Sequence, residues 1–476
     1  MPDSSINPNS AASLVLRLKE PLFTEGEWPC ATDLLGRHSE IENLSPVLLN
    51  AQAPLVFAID APWGGGKTTF IRLWQHYLQQ QEQVCLYLNA WESDFADDPL
   101  LPMLSTLDEW LREQQDDSTP KKAWNKAKEY APGVLKSTAV AAAKVATFGA
   151  LDVEKEYEKI AADLAGGAIE GVVDSFNVQK LALEQFKIQL SAALDALPEG
   201  QQNLLVFVDE LDRCKPTYAI ELLERIKHLF DIERLVFVLA VNRDQLSKSL
   251  QGVYGPSFNG LHYLKRFIDL DYQLKVPDKA SYIQAVLKQP DMLAYFQSRS
   301  RDSNLVRTIS DLLDWLTNRF DYSLRDIDQL VMRLRLIVRA IPSNQEMDVP
   351  LLVCLLVLRQ ENGKLYQQFV DDITYVNEVI DFLLGDKFES SRLPKPFAKV
   401  AGWLIQSGYD AYEDLDLEPV IEPWQQRYDQ MEDDDERKSD LSSLLRIARH
   451  NDGGWNRSGV RKLAYSRIEL VSQITI

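Results

Sequence analysis

The sequence of 476 residues has few cysteines and no long apolar run, and both absences restrict what the chain can be. Its four cysteines lie far apart, without the Cys-x-x-Cys or His-Glu-x-x-His spacing of metal sites. We therefore expect buried thiols of a reducing compartment and no zinc. A membrane span needs about twenty consecutive apolar residues, whereas the best run, Val349 to Leu358, is bounded by charged residues. We expect a core helix there and no transmembrane span.

Basic residues are also in short supply. The chain has 51 Lys and Arg against 71 Asp and Glu, which gives a net charge of −20. Broad electrostatic attraction of nucleic acid needs a basic surface, so the charge does not support nucleic acid as a partner, although a local basic groove stays open. Residues 1–30 have no basic region followed by an apolar stretch, so we interpret them as the N-terminal tail of a cytoplasmic protein and not as a secretion signal.

Residues 55–69 form an apolar run that ends in three glycines, a lysine and two threonines. The run from Leu55 to Ile59 is typical of a strand buried on both faces, and helical spacing resumes at Phe70. A strand, a glycine turn and a helix in this order indicate a phosphate-binding loop, the Walker A motif. The candidate nucleotide ligands are Gly64, Gly65, Gly66, Lys67, Thr68 and Thr69. We expect Lys67 to bind the β- and γ-phosphates of ATP and Thr68 to bind Mg²⁺.

Val84 to Asn89 is a second apolar strand, and a later one, within residues 203–215, ends in Asp209 and Glu210. Charged groups at the end of a buried strand are costly unless they serve a ligand or an ion pair. This pattern indicates a Walker B motif. We assign Asp209 to Mg²⁺, through a water molecule, and Glu210 to polarising the water that attacks ATP. Asp212 is better explained as a cap of the next helix.

Three further residues are candidates for the catalytic site, each with an ordinary structural alternative. Asn242 ends the apolar strand 235–241, beside the strand of Asp209, where it could touch the γ-phosphate or form a turn. Arg266 could reach the nucleotide of a neighbouring subunit, or belong to a solvated basic pair with the lysine before it. Arg325 could stabilise transition-state charge from a helical lid, or be a surface residue of a first helical turn.

The alternation of strands and helices predicts an α/β core over residues 31–277 with a mainly parallel sheet, whose final strand is predicted at 268–276. Residues 116–175 interrupt this pattern as a helical insertion rich in lysine, alanine and glycine. Small residues at helical spacing favour close helix packing, and docking to a membrane surface or a partner is the alternative.

Helical periodicity over residues 278–408 predicts an all-helical C-terminal lid domain. Residues 409–476 are interpreted as an acidic linker and a C-terminal docking element. The strongly acidic part, 409–440, predicts a solvated or mobile segment. The alternating apolar residues of 468–476 predict a strand-like tail.

Four motifs together resemble the KAP family of P-loop NTPases. They are Pro-Trp-Gly-Gly-Gly-Lys-Thr-Thr at 62–69, Asn-Ala-Trp-Glu at 89–92 with Asp-Asp-Pro-Leu at 97–100, Val-Phe-Val-Asp-Glu-Leu-Asp-Arg-Cys at 206–214 and Tyr-Leu-Lys-Arg-Phe at 263–267. The Trp inside the phosphate loop and the Leu-Asp-Arg-Cys after the acidic pair are the specific parts. The resemblance covers roughly residues 30 to 345. Ala61 and Pro62 stand where the family has Gly-Glu, and Glu210 stands where Asp is common.

The resemblance implies ATP and Mg²⁺ as ligands, hydrolysis of ATP, and a sheet with an additional strand between the Walker A and Walker B strands. Many members carry transmembrane hairpins between these motifs, but the insertion here lacks the apolar length. Bacterial relatives include phage-exclusion proteins and ATPases of multigene anti-phage systems. By analogy, we expect a conformational switch or assembly regulator in antiviral defence, acting as a homo-oligomer or with operon-encoded effector proteins. The alternative is a nucleotide-gated scaffold with little hydrolysis.

Overall fold

The computed structural model describes residues 28–29, 33–112, 119–134, 169–195, 203–275, 278–289, 292–293, 296, 305–340, 348–385, 397–407, 416–433, 435–449 and 460–472. These residues divide into two compact units, with the division directly after residue 276. The first unit combines helices with a sheet, and the described elements of the second are all helical.

The first unit contains a five-stranded sheet whose pairings are all parallel. Its elements are α1 (His38–Leu49), β1 (Leu55–Asp60), α2 (Lys67–Gln80), β2 (Cys85–Asn89), α3 (Leu100–Arg112), α4 (Thr119–Val134), α5 (Ile169–Asp195), β3 (Leu204–Asp209), a 3₁₀ turn (Leu211–Arg213), α6 (Pro216–Leu229), β4 (Leu235–Val241), α7 (Arg243–Tyr254), α8 (Gly260–Leu264) and β5 (Leu270–Gln273). The strand order is β2-β3-β4-β1-β5. Strand β4 lies between the phosphate-loop strand β1 and the acidic strand β3, which confirms the inserted strand.

Each face of the sheet has its own apolar core, because successive side chains of a strand point to opposite faces. One face packs against α3 to α8, and the other packs against α1 and α2. Trp74 of α2 is at the centre of the second core. Its ring meets Phe57 and Phe207 edge-on, with centroids 6.0 and 6.1 Å away, and its Nε1 donates to Ser45 Oγ at 2.9 Å. These contacts fix α2, and with it the phosphate loop, against β1 and β3.

The described ends of the predicted insertion are helical and belong to the core of the first unit. Helices α4 and α5 pack together, and Trp124 and Phe186 meet edge-on with centroids 6.5 Å apart. Trp124 Nε1 also donates to Asp108 Oδ1 of α3 at 2.8 Å. Ala127 of α4 is fully buried. The small residues behind the close-packing expectation lie mainly in residues 135–168, so that expectation stays a prediction. Residues 135–168 lie outside the described residues.

The second unit is built from ten helices in its described parts. They are α9 (Lys279–Leu287), α10 (Leu305–Arg319), α11 (Leu324–Ala340), α12 (Val349–Glu361), α13 (Gly363–Asp371), α14 (Val376–Leu384), α15 (Phe397–Gln406), α16 (Glu418–Gln430), α17 (Glu436–Arg449) and α18 (Val460–Ser472). The apolar run at the start of α12 is buried along its whole length, which confirms a core helix. No helix of either unit, as far as the structure describes them, is long and apolar enough to cross a membrane.

Two expectations for the C-terminal region are wrong. The acidic stretch 409–440 is not a linker over its described part, because α16 and α17 form there. Val420, Ile421 and Trp424 are buried on one side of α16, and Trp424 Nε1 donates to Asn377 Oδ1 at 2.7 Å. Three apolar residues at helical spacing are enough to hold this helix, while its acids stay outside.

The predicted strand-like tail is the helix α18, and residues 473–476 lie outside the described residues. Ala464, Ile468 and Val471 are buried at a spacing of about one helical turn, whereas Leu470 is exposed. The predicted final strand at 268–276 is also shorter in the structure, where it is β5. Its exposed Asp271 pairs with Arg243 at 2.5 Å, and a charged edge strand resists pairing with other chains.

We predict that Leu355→Ala destabilises the second unit by about 2–5 kcal/mol. The apolar run of α12 is buried all around, so the shorter side chain leaves a cavity that solvent cannot fill. Peptide-resolved hydrogen exchange measures this as faster exchange over residues 348–385. The exposed Lys364→Ala serves as the control and should change the opening free energy by less than about 0.5 kcal/mol. Equal exchange in the two variants would contradict the assignment of α12 to the core.

Candidate functional site

The phosphate loop connects β1 to α2 at the carboxyl edge of the sheet. Gly64 and Gly66 have φ angles of 73° and 83°, which side-chain-bearing residues rarely adopt. Gly65 N donates to Pro62 O at 3.1 Å, and a Cβ on Gly65 would lie only 3.0 Å from that oxygen. All three glycines are therefore needed for the tight turn, and the loop has the shape of a phosphate cradle.

The family's usual glycine is not required at Ala61. Ala61 is buried, and no positive φ occurs there. A Cβ on Gly65 would lie 3.3 Å from the Ala61 Cβ, so the alanine methyl occupies space that Gly65 leaves open. The departure from the family pattern is thus absorbed inside the loop.

Lys67 is buried at the first position of α2 and faces several carboxylates. Its Nζ donates to Ala61 O at 2.8 Å. Burial lowers the pKa of Lys67, and the negative charges of Asp212, Asp209 and Asp60 oppose this shift. A cation held in this way can meet an anionic phosphate without leaving the loop.

Asp209 is the buried acid at the end of β3. Its carboxylate accepts hydrogen bonds from Tyr87 Oη at 3.1 Å, from the Glu210 backbone N–H at 2.8 Å and from the Thr68 side chain. Burial raises the pKa of Asp209, and these donors and Lys67 only partly oppose the shift. A carboxylate beside a threonine hydroxyl, with its charge incompletely compensated, suits a hard cation with oxygen ligands such as Mg²⁺.

Glu210 lies at the edge of the same site with a left-handed backbone, φ 59°, which is uncommon for a residue with a side chain. Its Oε1 pairs with Arg213 at 2.7 Å, and its Oε2 accepts from Asn89 Nδ2 at 3.4 Å. Asn89 lies within reach of the Glu210 carboxylate because it is paired in register with the preceding residue, Asp209, across β2 and β3. The two partners, Arg213 and Asn89, hold the Glu210 carboxylate.

The two most specific motifs of the sequence contact each other directly. Trp63 of the phosphate loop donates from Nε1 to Asp212 Oδ2 at 2.5 Å. Asp212 is not the cap of the next helix, which lacks a side-chain cap. Its Oδ1 is buried without a hydrogen-bond partner among the described residues. Sequence reasoning missed the role of Asp212, although both residues stand in the motifs that carry the family resemblance.

The Asp-Asp-Pro-Leu stretch has a structural role through Asp98. Its Oδ1 accepts from the Leu100 backbone N–H at 2.9 Å, which caps α3, and its Oδ2 pairs with Arg225 at 2.8 Å. This ion pair joins α3 to α6. Asp98 therefore holds helices together and does not face the phosphate loop.

Asn242 lies directly beside the phosphate loop, because Ala61 N donates to the carbonyl of the preceding residue, Val241, at 3.2 Å. The Asn242 Oδ1 caps α7 by accepting from Gln245 N at 3.1 Å. Asn242 thus has a structural role at the end of β4, as the cap of α7, where the sequence offered a turn. Its amide Nδ2 is the group left for the proposed role of phosphate sensor. Thr69 is exposed in the first turn of α2.

Arg266 is not assembled with these residues, and Arg325 belongs to the second unit. Arg266 is exposed and precedes β5, and Asp269 N donates to Val56 O at the start of β1. Arg266 therefore lies at the amino edge of the sheet, opposite the phosphate loop, so only a neighbouring molecule's nucleotide is open to it. Arg325 belongs to the second unit, where it is exposed in the first turn of α11. Its role stays a prediction.

We predict that Asp209→Asn stabilises the protein in Mg²⁺-free buffer at pH 7. Because burial raises the pKa of Asp209, the folded protein favours the neutral carboxyl. The neutral carboxyl therefore contributes stability that is fully present below about pH 4 and is lost as pH rises through the raised pKa. Thermal unfolding should show a Tm higher by roughly 2–4 °C, the shift that about 1 kcal/mol produces in a domain of this size. The difference in Tm between Asp209→Asn and the wild type should become smaller as the pH is lowered toward 4.

The same variant should lose the Tm increase that Mg²⁺ with a non-hydrolysable ATP analogue gives the wild type. Asp195→Asn, which changes an exposed aspartate at the end of α5, is the matched control and should leave both responses unchanged. An Asp209→Asn protein that still gained stability from Mg²⁺ with the analogue would exclude Asp209 as the metal-holding residue.

Comparisons with known proteins agree with this geometry. The family model described as "KAP family P-loop domain" matches residues 37–341, which are more than half of the chain. A phage T7 exclusion protein of Escherichia coli (strain K12) is 22% identical over 298 residues, which are 59% of this chain and 39% of that protein. The chain thus spans well under half of that relative's length. On the family match and on the phosphate loop and acidic strand described above, the chain belongs to the KAP family of P-loop NTPases.

Proposed function

We propose that this protein is a Mg²⁺-dependent ATPase that acts as a conformational switch or assembly regulator. The observation that carries the proposal is the convergence of Lys67 and Thr68 on the buried Asp209, with Glu210 next to it. Lys67 and the loop N–H groups would bind the phosphates, and Thr68 and Asp209 would hold the metal. Mg²⁺, when bound, would supply positive charge that offsets the charge of the phosphates.

The residue proposed to act on water is Glu210. In the structure its carboxylate is held by Arg213 and Asn89, at the carboxyl edge beside Asp209. From there it would orient a water molecule and take its proton. Lys67 would stabilise the charge that develops on the phosphates, so catalysis rests on positioning and electrostatics. Asn242 Nδ2 is the proposed phosphate sensor, and Arg266 and Arg325 are proposed to act from a neighbouring molecule and from the helical lid.

Bacterial anti-phage defence is the proposed biological role, with the destructive activity in a separate effector protein. It is supported by the similarity to a protein named for excluding phage T7, over a part of its length. We further propose a cytoplasmic homo-oligomer that works with operon-encoded partners. Phosphate release measured alone and with double-stranded DNA, single-stranded DNA or the operon neighbours tests which of them triggers hydrolysis.

The second candidate function is a nucleotide-gated scaffold that binds ATP and hardly hydrolyses it. The ion pair of Glu210 with Arg213 at 2.7 Å favours this candidate, because a carboxylate oxygen engaged by a guanidinium is less available to a water molecule. Both candidates require nucleotide binding, so only hydrolysis separates them.

We predict that Glu210→Gln lowers kcat for phosphate release by about 10²–10⁴-fold while ATP still binds, because the amide keeps the shape of the side chain but cannot take a proton. Lys67→Ala should instead abolish binding. Glu233→Gln, an exposed glutamate at the opposite edge of the sheet, is the control and should behave as the wild type. Equal, near-zero turnover in the wild type and in Glu210→Gln, under every trigger above, would reject the ATPase in favour of the scaffold.

A further inference from the structure

Three large aromatic side chains are exposed around the candidate site. Trp63 follows β1, Trp91 follows β2, and Phe95 lies a few residues further on; 48%, 50% and 80% of these residues are exposed. We call them the aromatic surface. All three border the turn after β3, at the carboxyl edge of the sheet. Exposed apolar groups gathered in this way indicate an interaction site more strongly than scattered ones do.

The aromatic surface is held in place by polar contacts underneath it. The Trp63 indole is bonded to Asp212, and the Arg213 guanidinium lies 5.5 Å from the centre of the Trp91 ring. The loop that carries Phe95 is tied down next door, where Asp94 O accepts from Lys215 Nζ at 3.0 Å. These aromatics are therefore presented in a fixed arrangement, which lowers the entropy lost on binding a partner.

A second group of exposed apolar residues lies on α7 and α8. Val253, Tyr254 and Leu261 are 44%, 47% and 41% exposed. We call them the tyrosine surface. Tyr254 rests on Phe258, with ring centroids 4.6 Å apart, and on Tyr263, with centroids 5.7 Å apart. This surface, too, is supported from below.

The two surfaces carry opposite charge. Around the aromatic surface, Glu92 and Asp97 are exposed acids, and the exposed base there, Lys215, is paired with Asp94 at 3.9 Å. Around the tyrosine surface, Lys265 and Arg266 are exposed bases directly after α8. An apolar centre rimmed by acids complements an apolar centre rimmed by bases.

The surfaces also lie at opposite edges of the sheet. Trp63 and Trp91 follow the carboxyl ends of their strands, whereas the tyrosine surface belongs to the segment that leads back to the start of β5. Asp269, at the end of that segment, is bonded to Val56 at the start of β1. One molecule therefore cannot bring its own two surfaces together, but two molecules can.

We propose that the aromatic surface of one copy of this chain binds the tyrosine surface of a second copy. Such a contact joins unlike surfaces, so one copy keeps a free tyrosine surface and the other a free aromatic surface, and the assembly extends to a closed ring or a filament. Nucleic acid is a poorer occupant, because the acidic rim repels phosphate. The proposal deepens the assembly part of the proposed function and requires no hydrolysis.

The contact would reach the candidate site through Trp91. The Trp91 backbone N–H donates to Asn89 Oδ1 at 3.1 Å, and Asn89 Nδ2 reaches Glu210. A neighbour seated on Trp91 therefore acts on a residue that positions Glu210. The tyrosine surface also brings Arg266 to that neighbour's carboxyl edge, where the sequence predicts it to act.

Sedimentation of the full chain with Mg²⁺ and a non-hydrolysable ATP analogue tests the contact, with two variants that change only exposed residues. Phe95→Lys places a positive charge opposite the basic rim of the tyrosine surface. Tyr254→Glu places a negative charge opposite the acidic rim of the aromatic surface. The wild type should sediment above the 54.3 kDa monomer and shift down with rising salt, while each variant alone stays a monomer. A 1:1 mixture of the two variants should stop at twice the monomer mass, since one intact pair of surfaces remains.

Ile188→Lys, on an exposed apolar residue of α5, is the control and should assemble as the wild type does. A monomeric wild type, a variant that still assembles, or a mixture that stays monomeric would each overturn the proposal. Phosphate release is read separately: turnover per chain should rise with concentration in the wild type and not in Phe95→Lys or Tyr254→Glu. Assembly without ATP turnover would reject the proposed ATPase but support the contact between copies. Turnover without assembly would reject the contact but support the ATPase.

Discussion

The Asp209 carboxylate is buried where strands β2 and β3 meet helix α2, and its burial constrains the rest of the site. Tyr87 reaches it from β2 and Thr68 from α2, and the backbone N–H of Glu210 closes over it. A buried negative charge needs donors, a nearby cation or a bound metal ion, since water no longer solvates it. The Asp209 carboxylate therefore connects the candidate nucleotide site with the register of β2 and β3 and with the position of α2 against the sheet.

Sequence patterns were sufficient for this acid and for the phosphate loop because both depend on neighbours in the chain. Apolar runs predict the strands, and the residues directly after each run identify Lys67 and Asp209. The Glu210 partners required knowledge of the strand register. Asn89 is placed by its pairing with Asp209, and Arg213 by the turn after β3. No periodicity within one segment contains that information.

The misread C-terminal helices have a related cause. In α16, net acidity suggested solvation, but three apolar residues on one side decide whether a helix packs. In α18, alternation over a few residues fits a strand, and the same residues fit a helix when only every third or fourth is buried. Composition measures the average environment of a segment, whereas packing depends on one face of it.

The two residues Asp212 and Arg213, shortly after the acidic pair, link both halves of the site. Asp212 binds the Trp63 indole of the phosphate loop, and its neighbour Arg213 binds Glu210. These residues share one short 3₁₀ turn, so the turn connects the phosphate loop with the Glu210 carboxylate. Glu210 has a left-handed backbone, which depends on its surroundings to be maintained. The motif that identifies the family is thus the physical connection between phosphate binding and the residue proposed to activate water.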